Sequence, residues 1–189
     1  MKDELFLRGE SVPMTKEAVR ALSLSRLNLS QARHFIDIGA GTGSVSIEAA
    51  LGYPQLAVTA IERNPAALGL LEENCQRFGC RNITIVPGVA PLFIEQPADA
   101  VFMGGSGGNL IQLIDWSLMQ LNPGGRLVMT FILQENLACA LSHLAAINVA
   151  ALECQQIQVS LLNALGSGHY FKPNNPVFVI SCEKEQAHG

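Results

Sequence analysis

Charged and aromatic side chains are scarce in this chain, and it has no long hydrophobic run. Of the 189 residues, 15% are charged, 6% are aromatic and 49% are hydrophobic, which excludes a disordered chain and predicts a globular protein with a large core. No apolar run approaches the roughly 20 residues of a membrane span, and the first residues, MKDELFLRGESVP, are too charged for a secretory signal. We therefore expect a single cytoplasmic domain, residues 1–189, that does not enter a membrane.

The chain also lacks the residue spacings of metal sites. Its five cysteines and four histidines are scattered, and no CxxC pair occurs, so we predict buried free thiols in a reducing cytosol and no bound metal. The net charge is −4 and the isoelectric point about 5.5, which argues against a nucleic-acid-binding protein. An anionic small molecule remains compatible with this charge, because its site needs only a few local hydrogen-bond donors.

Short apolar runs alternate with helical patterns along most of the chain. Strands are predicted in HFIDIG, LAVTAIE, NITIVPG, ADAVFMGG and RLVMTFIL, and helices in TKEAVRALSLSRL, SVSIEAALG, NPAALGLLEENCQRFG, NLIQLIDWSLMQL and ENLACALSHLAAIN. Thr15 is the predicted N-cap of the first helix. Because the strands are almost continuously hydrophobic, we predict a parallel sheet covered by helices on both faces. Two C-terminal runs, LECQQIQVSLL and PVFVISCE, predict an antiparallel hairpin joined by the loop NALGSGHYFKPNN.

A glycine-rich junction follows the first predicted strand. The stretch DIGAGTGSVSIEAA places Gly39, Gly41 and Gly43 between a strand and a helix, where a nucleotide-like ligand can approach backbone amides. The spacing is GxGxG, and Ser44 stands where the dinucleotide fingerprint has its last glycine, which disfavours a nicotinamide cofactor. Glu62 ends the next strand about 20 residues later, where an acidic side chain accepts hydrogen bonds from ribose hydroxyls.

These residues, with the turn LNPGGRLVM, resemble the class I S-adenosylmethionine-dependent methyltransferases over Phe35 to Leu133. A narrower resemblance runs almost end to end: GESVPMTKEAVRALSLSRL, DIGAGTGSVSIEAA, ERNP, GVAPLF, GGSGGNL and a C-terminal NPV are similar to the decarboxylating cobalt-precorrin-6B C15-methyltransferase family of the cobalamin pathway. The resemblance implies a Rossmann-like α/β fold with a seven-stranded, mostly parallel sheet and a C-terminal antiparallel hairpin. It divides the single methyltransferase domain into an N-terminal segment and helix (1–30), a Rossmann-like core (31–150) and the hairpin (151–189).

The resemblance implies S-adenosyl-L-methionine as the cofactor. The contacts carried over are Thr15, Gly39, Ala40, Gly41, Thr42, Gly43, Glu62 and Ala90, the last of them beside the adenine. Many class I enzymes place an acidic residue after the third strand to bind the adenine amino group, whereas this chain has Val89 there. Adenine would therefore be held by backbone groups and apolar contact.

The implied substrate is an anionic tetrapyrrole, a precorrin, which gains a methyl group at C15 and loses carbon dioxide from the acetate on ring C. The predicted substrate-binding residues are Gly104, Gly105, Ser106, Gly107, Gly108, Lys16 and His169. The glycines would leave room for a flat ring, and free amides before the next helix would favour a carboxylate. Further candidates for the substrate carboxylates are Arg8, Arg63 and Lys172, and His169 and Tyr170 are candidate proton donors. No side chain is predicted to be a nucleophile, because the cofactor carries the difficult chemistry.

The resemblance also implies a homotetramer, with the precorrin C5-methyltransferase as a functional partner. Three alternatives remain at this point: a class I methyltransferase acting on tRNA or protein, a non-catalytic adenosylmethionine-binding subunit, and a nicotinamide-dependent dehydrogenase. The acidic isoelectric point and the side-chain-poor loop GGSGG disfavour the first alternative. The GxGxG spacing disfavours the third, and intact motifs leave the second open.

Overall fold

The computed structural model describes residues 1–105, 108–147 and 149–186. Its strands are β1 (His34–Ile38), β2 (Ala57–Glu62), β3 (Ile83–Pro87), β4 (Ala98–Met103), β5 (Leu121–Phe131), β6 (Ala150–Ile157), β7 (Ser160–Leu165), β8 (Gly168–Pro173) and β9 (Val177–Glu183). Its helices are α1 (Glu17–Leu27), α2 (Ser44–Gly52), α3 (Pro65–Phe78), α4 (Leu110–Gln120) and α5 (Gln134–Ala146), and two short 3₁₀ turns span Asp3–Leu5 and Leu29–Gln31.

Seven strands form one sheet in the order β3-β2-β1-β4-β5-β9-β6. Strands β1 to β5 pair in parallel, while β9 runs antiparallel to both β5 and β6. This is the predicted α/β fold, and its C-terminal antiparallel pair is confirmed. After β3 the chain crosses to the far side of β1 to form β4, so the strand order reverses between β1 and β4. Ligands of open α/β sheets bind in the crevice at such a reversal, beyond the carboxyl ends of the strands.

Helices cover both faces of the sheet, as the continuous hydrophobicity of the strands predicts. Successive residues of a strand point to opposite faces, and in β1 Phe35 packs in a cluster with residues of α1 and α2. Its neighbour Ile36 packs in a second cluster, with residues of α4 and α5. All five residues of β1 are buried, so this strand is a rigid base for the loop that follows it.

The residues before α1 pack against α2 and α3, where Phe6 shares a buried cluster with Ile47 and Leu71, and they reach the carboxyl edge of the sheet at Pro13. We call residues 6–16 the N-terminal strap. Asn74 of α3 is fully buried and anchors the strap, because its side chain accepts the Leu7 N–H at 2.8 Å and donates to the Leu7 carbonyl at 3.1 Å. The same amide donates to the Thr42 carbonyl at 2.9 Å, which ties the strap to the loop after β1.

Helix α1 begins at Glu17, one residue later than a cap at Thr15 would place it. Its N-cap is Lys16, without a side-chain hydrogen bond, so the prediction of Thr15 as the N-cap is wrong. The Thr15 carbonyl instead accepts hydrogen bonds from Arg20 Nη1 at 2.6 Å and Ser44 Oγ at 3.4 Å. Thr15 therefore belongs to the strap, held against α1 and α2.

The C-terminal region contains more strand than the sequence pattern predicts. The predicted run LECQQIQVSLL is divided between β6 and β7, and most of the predicted loop NALGSGHYFKPNN forms β7 and β8. These two strands pair with each other as a separate two-stranded sheet. The predicted turn NPGG lies within β5, where the pairing with β4 shifts register between Ala98 and Ala100.

All five cysteines are free. Cys75 and Cys182 are buried, Cys80 is only partly buried, and Cys139 and Cys154 are exposed, so the prediction that all the thiols are buried is wrong for the two exposed ones and only partly met at Cys80. Within the described ranges, no group of three or more potential metal ligands is close enough to hold an ion. Nor does that part of the chain include a helix long and apolar enough to cross a membrane.

Candidate functional site

The loop after β1 is built around three glycines with positive φ: Gly39 at +72°, Gly41 at +57° and Gly43 at +81°. A Cβ on Gly41 would lie 2.8 Å from the Pro13 carbonyl oxygen, and one on Gly43 would lie 2.2 Å from Leu71 Cδ1. A side chain at position 41 would therefore collide with the strap, and one at position 43 would collide with α3. A Cβ on Gly39 would meet nothing closer than Gly105, at 3.9 Å, so the face of Gly39 is open.

The Glu62 carboxylate holds this loop in place from the tip of β2. Its Oε2 accepts the Gly41 N–H at 2.8 Å, and its Oε1 accepts the N–H groups of Arg63 and Asn64, each at 2.8 Å. Hydrogen bonds to a charged acceptor are stronger than neutral ones, and Glu62 is only 8% exposed. The side chain that was predicted to bind ribose thus also fixes the backbone around the ligand crevice.

A cavity of about 300 Å³ lies at the carboxyl ends of β1, β2 and β4. We call it the first cavity; its lining includes Gly39, Gly41, Glu62, Val89, Ala90, Gly104 and Gly105. This brings together four of the predicted cofactor contacts, two of the predicted substrate contacts and Val89. The volume is at the lower end of the range of small-molecule sites, roughly 300–1,000 Å³.

A second cavity, of about 500 Å³, adjoins the first. The two share Pro13, Gly39, Gly104 and Gly105. Thr15, Lys16 and Ala40 line the second cavity, as do Met103, Phe131, Ile132, Leu133, Asn136, Asn174, Asn175 and Val177. The predicted residues Thr15 and Ala40 therefore face this space rather than the first cavity.

Several predicted contacts among the described residues line neither cavity. Gly43, Thr42 and Gly108 are not among the described residues that line them. His169 lies on β8, exposed and opposite Ala164, and it also lines neither cavity. Ser106 and Gly107 lie outside the described residues. The assignment of each of these residues to a ligand stays a prediction.

The glycine loop rests on a buried carboxylic acid that the sequence reasoning missed. Asp37 is 1% exposed, and its Oδ2 accepts the Ser46 hydroxyl at 2.6 Å. Its Oδ1 and the Thr42 hydroxyl have no hydrogen-bond partner among the described residues. Burial raises the pKa of Asp37 to about 7, with the Glu62 charge adding to the rise and the hydrogen bonds from Ser46 opposing it. The sequence feature that could have pointed to this buried acid is its position, two residues before Gly39 in a predicted buried strand.

Sequence reasoning also missed the asparagines of the second cavity. Asn136 lies in the first turn of α5, and Asn174 and Asn175 lie between β8 and β9. The only signal was the C-terminal NPV, which begins at Asn175. Its link to α5 depends on the strand order, because β9 must insert beside β5 for the two segments to meet.

Similar proteins are known. A profile of the precorrin methyltransferase domain matches residues 6–184. Cobalt-precorrin-6B C(15)-methyltransferase (decarboxylating) of Salmonella typhimurium is 71% identical over 188 residues, which cover 100% of this chain and 98% of that protein. Among solved structures, precorrin-6y C5,15-methyltransferase of Geobacter metallireducens matches with a TM-score of 0.90 and 35% identity, covering 97% of both chains. The precorrin 8W decarboxylase of Methanobacterium thermoautotrophicum matches with a TM-score of 0.87 and 31% identity, covering 96% of this chain and 98% of that one. With its glycine loop, its acidic β2 tip and two adjoining cavities, the chain belongs to the precorrin methyltransferase family.

Proposed function

We propose that this chain uses S-adenosyl-L-methionine to methylate C15 of cobalt-precorrin-6B, with loss of carbon dioxide from the acetate on ring C. The observation that carries the proposal is the meeting of two cavities at Pro13, Gly39, Gly104 and Gly105, three of which have no side chain to stand between the occupants. The full-length 71% identity to the Salmonella enzyme supports the same substrate and reaction.

The first cavity suits a nucleoside with a short polar tail. Glu62 presents an acidic oxygen pair at its wall, Gly39 leaves an open face, and Val89 and Ala90 supply an apolar side for a base. The absence of an acidic residue at position 89 means that the base is held by backbone groups and packing. Adenosylmethionine, when bound, supplies a methyl group on a positively charged sulfur.

The second cavity suits a broad, anionic ring. Phe131, Ile132 and Leu133 give it an apolar wall, and Lys16 supplies a cation at its rim. The junction is open at Gly105, because a Cβ there would meet no described atom within 4 Å apart from those of Gly105 and its chain neighbours. The chain's contribution is therefore to bind, orient and exclude water, which is how proteins assist cofactor chemistry.

We also propose that copies of the chain associate, in line with the predicted homotetramer. The β7–β8 ribbon exposes large apolar side chains: Leu161 (56%), Leu162 (60%), Leu165 (69%) and Phe171 (67%). An isolated two-stranded ribbon is only marginally stable in water, and contiguous exposed apolar groups mark interaction surfaces. The cytoplasmic location, the single-domain boundaries 1–189 and the partnership with a precorrin C5-methyltransferase stay predictions.

The proposal is tested with the purified chain, cobalt-precorrin-6B and adenosylmethionine carrying a labelled methyl group. Mass spectrometry of the ring should detect one labelled methyl gained and one carbon dioxide lost. Transfer of label to tRNA or protein, with none to the ring, would support the first alternative instead. Tight binding of S-adenosylhomocysteine without turnover would identify a non-catalytic subunit. Quenching of NADH fluorescence would support a dehydrogenase.

A further inference from the structure

We infer that Asn136, Asn174 and Asn175 bind the carboxylate groups of the ring substrate and, with Lys16, determine which anionic ring the second cavity accepts. This inference rests on the proposed function, since it takes the occupant of that cavity to be a carboxylated tetrapyrrole. None of these three asparagines belongs to the sequence motifs of the cofactor site.

The three amides come from two segments far apart in sequence. Asn136 lies on α5, which follows β5, whereas Asn174 and Asn175 lie in the segment that enters β9. β9 pairs antiparallel with β5, with Phe131 opposite Phe178, so this segment and the start of α5 lie at the same end of the sheet. All three asparagines line the second cavity.

The side-chain amides of these three asparagines have no hydrogen-bond partner within the described part of the chain, in contrast to several asparagines elsewhere. Asn64 caps α3 by accepting the Ala66 N–H at 3.0 Å. Other side-chain amides are also satisfied internally: Asn74 bonds to Leu7 and Thr42, Asn82 to Ala50 and Leu56, and Asn122 to Asp99. The asparagines of the second cavity thus keep their amide donors available to a ligand.

The charges around the second cavity favour an anion. Lys16 lines it, and no aspartate or glutamate is among the described residues that do. Each amide adds two N–H donors without adding charge, so the site can hold several carboxylates at different points around a ring. The apolar wall completes this arrangement, since Ile132 is 58% and Leu133 is 60% exposed, and a flat ring would cover both. Few polar groups placed around an apolar surface are what gives small-molecule sites their specificity.

The test replaces each asparagine by aspartate, which keeps the shape of the side chain but repels a carboxylate. For Asn136→Asp and Asn175→Asp we expect KM for cobalt-precorrin-6B to rise about tenfold or more, because a charge-assisted donor is exchanged for a like charge. The increase should shrink as ionic strength rises. The dissociation constant of S-adenosylhomocysteine, measured by calorimetry, should stay within about twofold of wild type, since no asparagine of this set lines the first cavity.

Two further variants keep the test informative. Asn175→Ala removes the donor without adding charge, so its KM should rise less than that of Asn175→Asp. Gln31→Glu is the matched control, because Gln31 is an exposed amide before β1, at the opposite end of the sheet; its KM should not change. An acidic residue in the first turn of a helix is stabilising, so Asn136→Asp is expected to fold, which thermal melting would verify.

The outcomes separate the two proposals. A wild-type chain that does not methylate the ring would contradict the proposed function. A wild-type chain that does so, with aspartate variants of unchanged KM, would overturn only the inference about the asparagines. A fall in kcat at constant KM would also overturn it, because the amides would then act on the reacting centre and not on binding.

Discussion

Asp37 is a buried acid between two isoleucines of β1, and its titration makes the stability of the fold depend on pH. Its pKa is raised from 3.8 to about 7 in the folded chain. The unfolded chain therefore loses this proton near pH 4, and the folded chain retains it to near pH 7. Between these values the folded state binds more protons, so the free energy of unfolding falls as pH rises, by up to about 1.4 kcal/mol per pH unit.

The variant Asp37→Asn removes this titration. We expect its free energy of unfolding, relative to wild type, to increase between about pH 4 and pH 7 and then to level off. Urea unfolding of both proteins at several pH values measures the difference, in which the contributions of other groups cancel. Parallel pH profiles for the two proteins would mean that Asp37 stays ionised in the folded chain.

Glu62 combines two roles in one carboxylate, because it fixes the glycine loop and faces the first cavity. In Glu62→Gln, the amide nitrogen replaces one oxygen, and a backbone N–H then faces another donor. A hydrogen bond to a charged group contributes about 1.5–3 kcal/mol, so we expect affinity for S-adenosylhomocysteine to fall about tenfold or more, with a melting temperature lower by several degrees. Calorimetry and thermal unfolding measure the two effects. Glu72→Gln, at an exposed position of α3, is the control and should change neither.

At the scale of elements, the end of β4 allows a test of whether the space beside Gly105 serves the reaction or the stability of the fold. A Cβ on Gly105 meets nothing within 4 Å, so Gly105→Val should leave the melting temperature and S-adenosylhomocysteine affinity nearly unchanged. We expect turnover to fall below detection, because the valine side chain would occupy the junction of the two cavities. Gly69→Val on α3, whose Cβ also meets nothing, is the control for a glycine replacement with no ligand nearby. An equal loss of binding and turnover in Gly105→Val, with a lower melting temperature, would indicate that this residue serves the fold alone; at an unchanged melting temperature it would indicate that the valine blocks the first cavity, which Gly105 also lines.

The β7–β8 ribbon is the element for which association can be tested. Leu162 and Phe171 are cross-strand partners, and both are mostly exposed in the single chain. The double variant Leu162→Ser, Phe171→Ser should shift the particle to a smaller mass in light scattering, with the far-ultraviolet circular dichroism retained. Met119→Ser, which removes a 72% exposed side chain from α4, should leave the mass unchanged. A double variant of unaltered mass would exclude the ribbon as the interface.

For the whole molecule, the sheet and the loop after β1 were predictable because their signals are local. Hydrophobic runs such as AVFM in β4 indicate strands buried on both faces, and the glycines before Ser44 mark the turn into α2. Glu62 was predictable from its distance along the chain, since the second strand of such folds ends at the same edge as the first.

Other parts of the site depend on contacts between distant segments, which the sequence pattern does not reveal. The glycine at position 41 is required by Pro13 of the strap, and the start of α1 is set by Arg20 bonding to the Thr15 carbonyl. The β7–β8 ribbon was missed because every residue of β8 and most of β7 are exposed. Strands without a buried face show no alternation of apolar and polar residues from which they could be predicted. The asparagines of the second cavity become neighbours only once β9 has inserted beside β5.

The bare backbone between the two cavities has a thermodynamic consequence. Since Gly39 and Gly105 face one another there without side chains, a nucleoside and a ring lodged on either side would touch each other directly. Each would then alter the other's affinity by an identical factor, whichever arrives first. An attractive contact would make a demethylated nucleoside retain the finished ring and slow the next turnover, whereas a repulsive one would help the two products to leave.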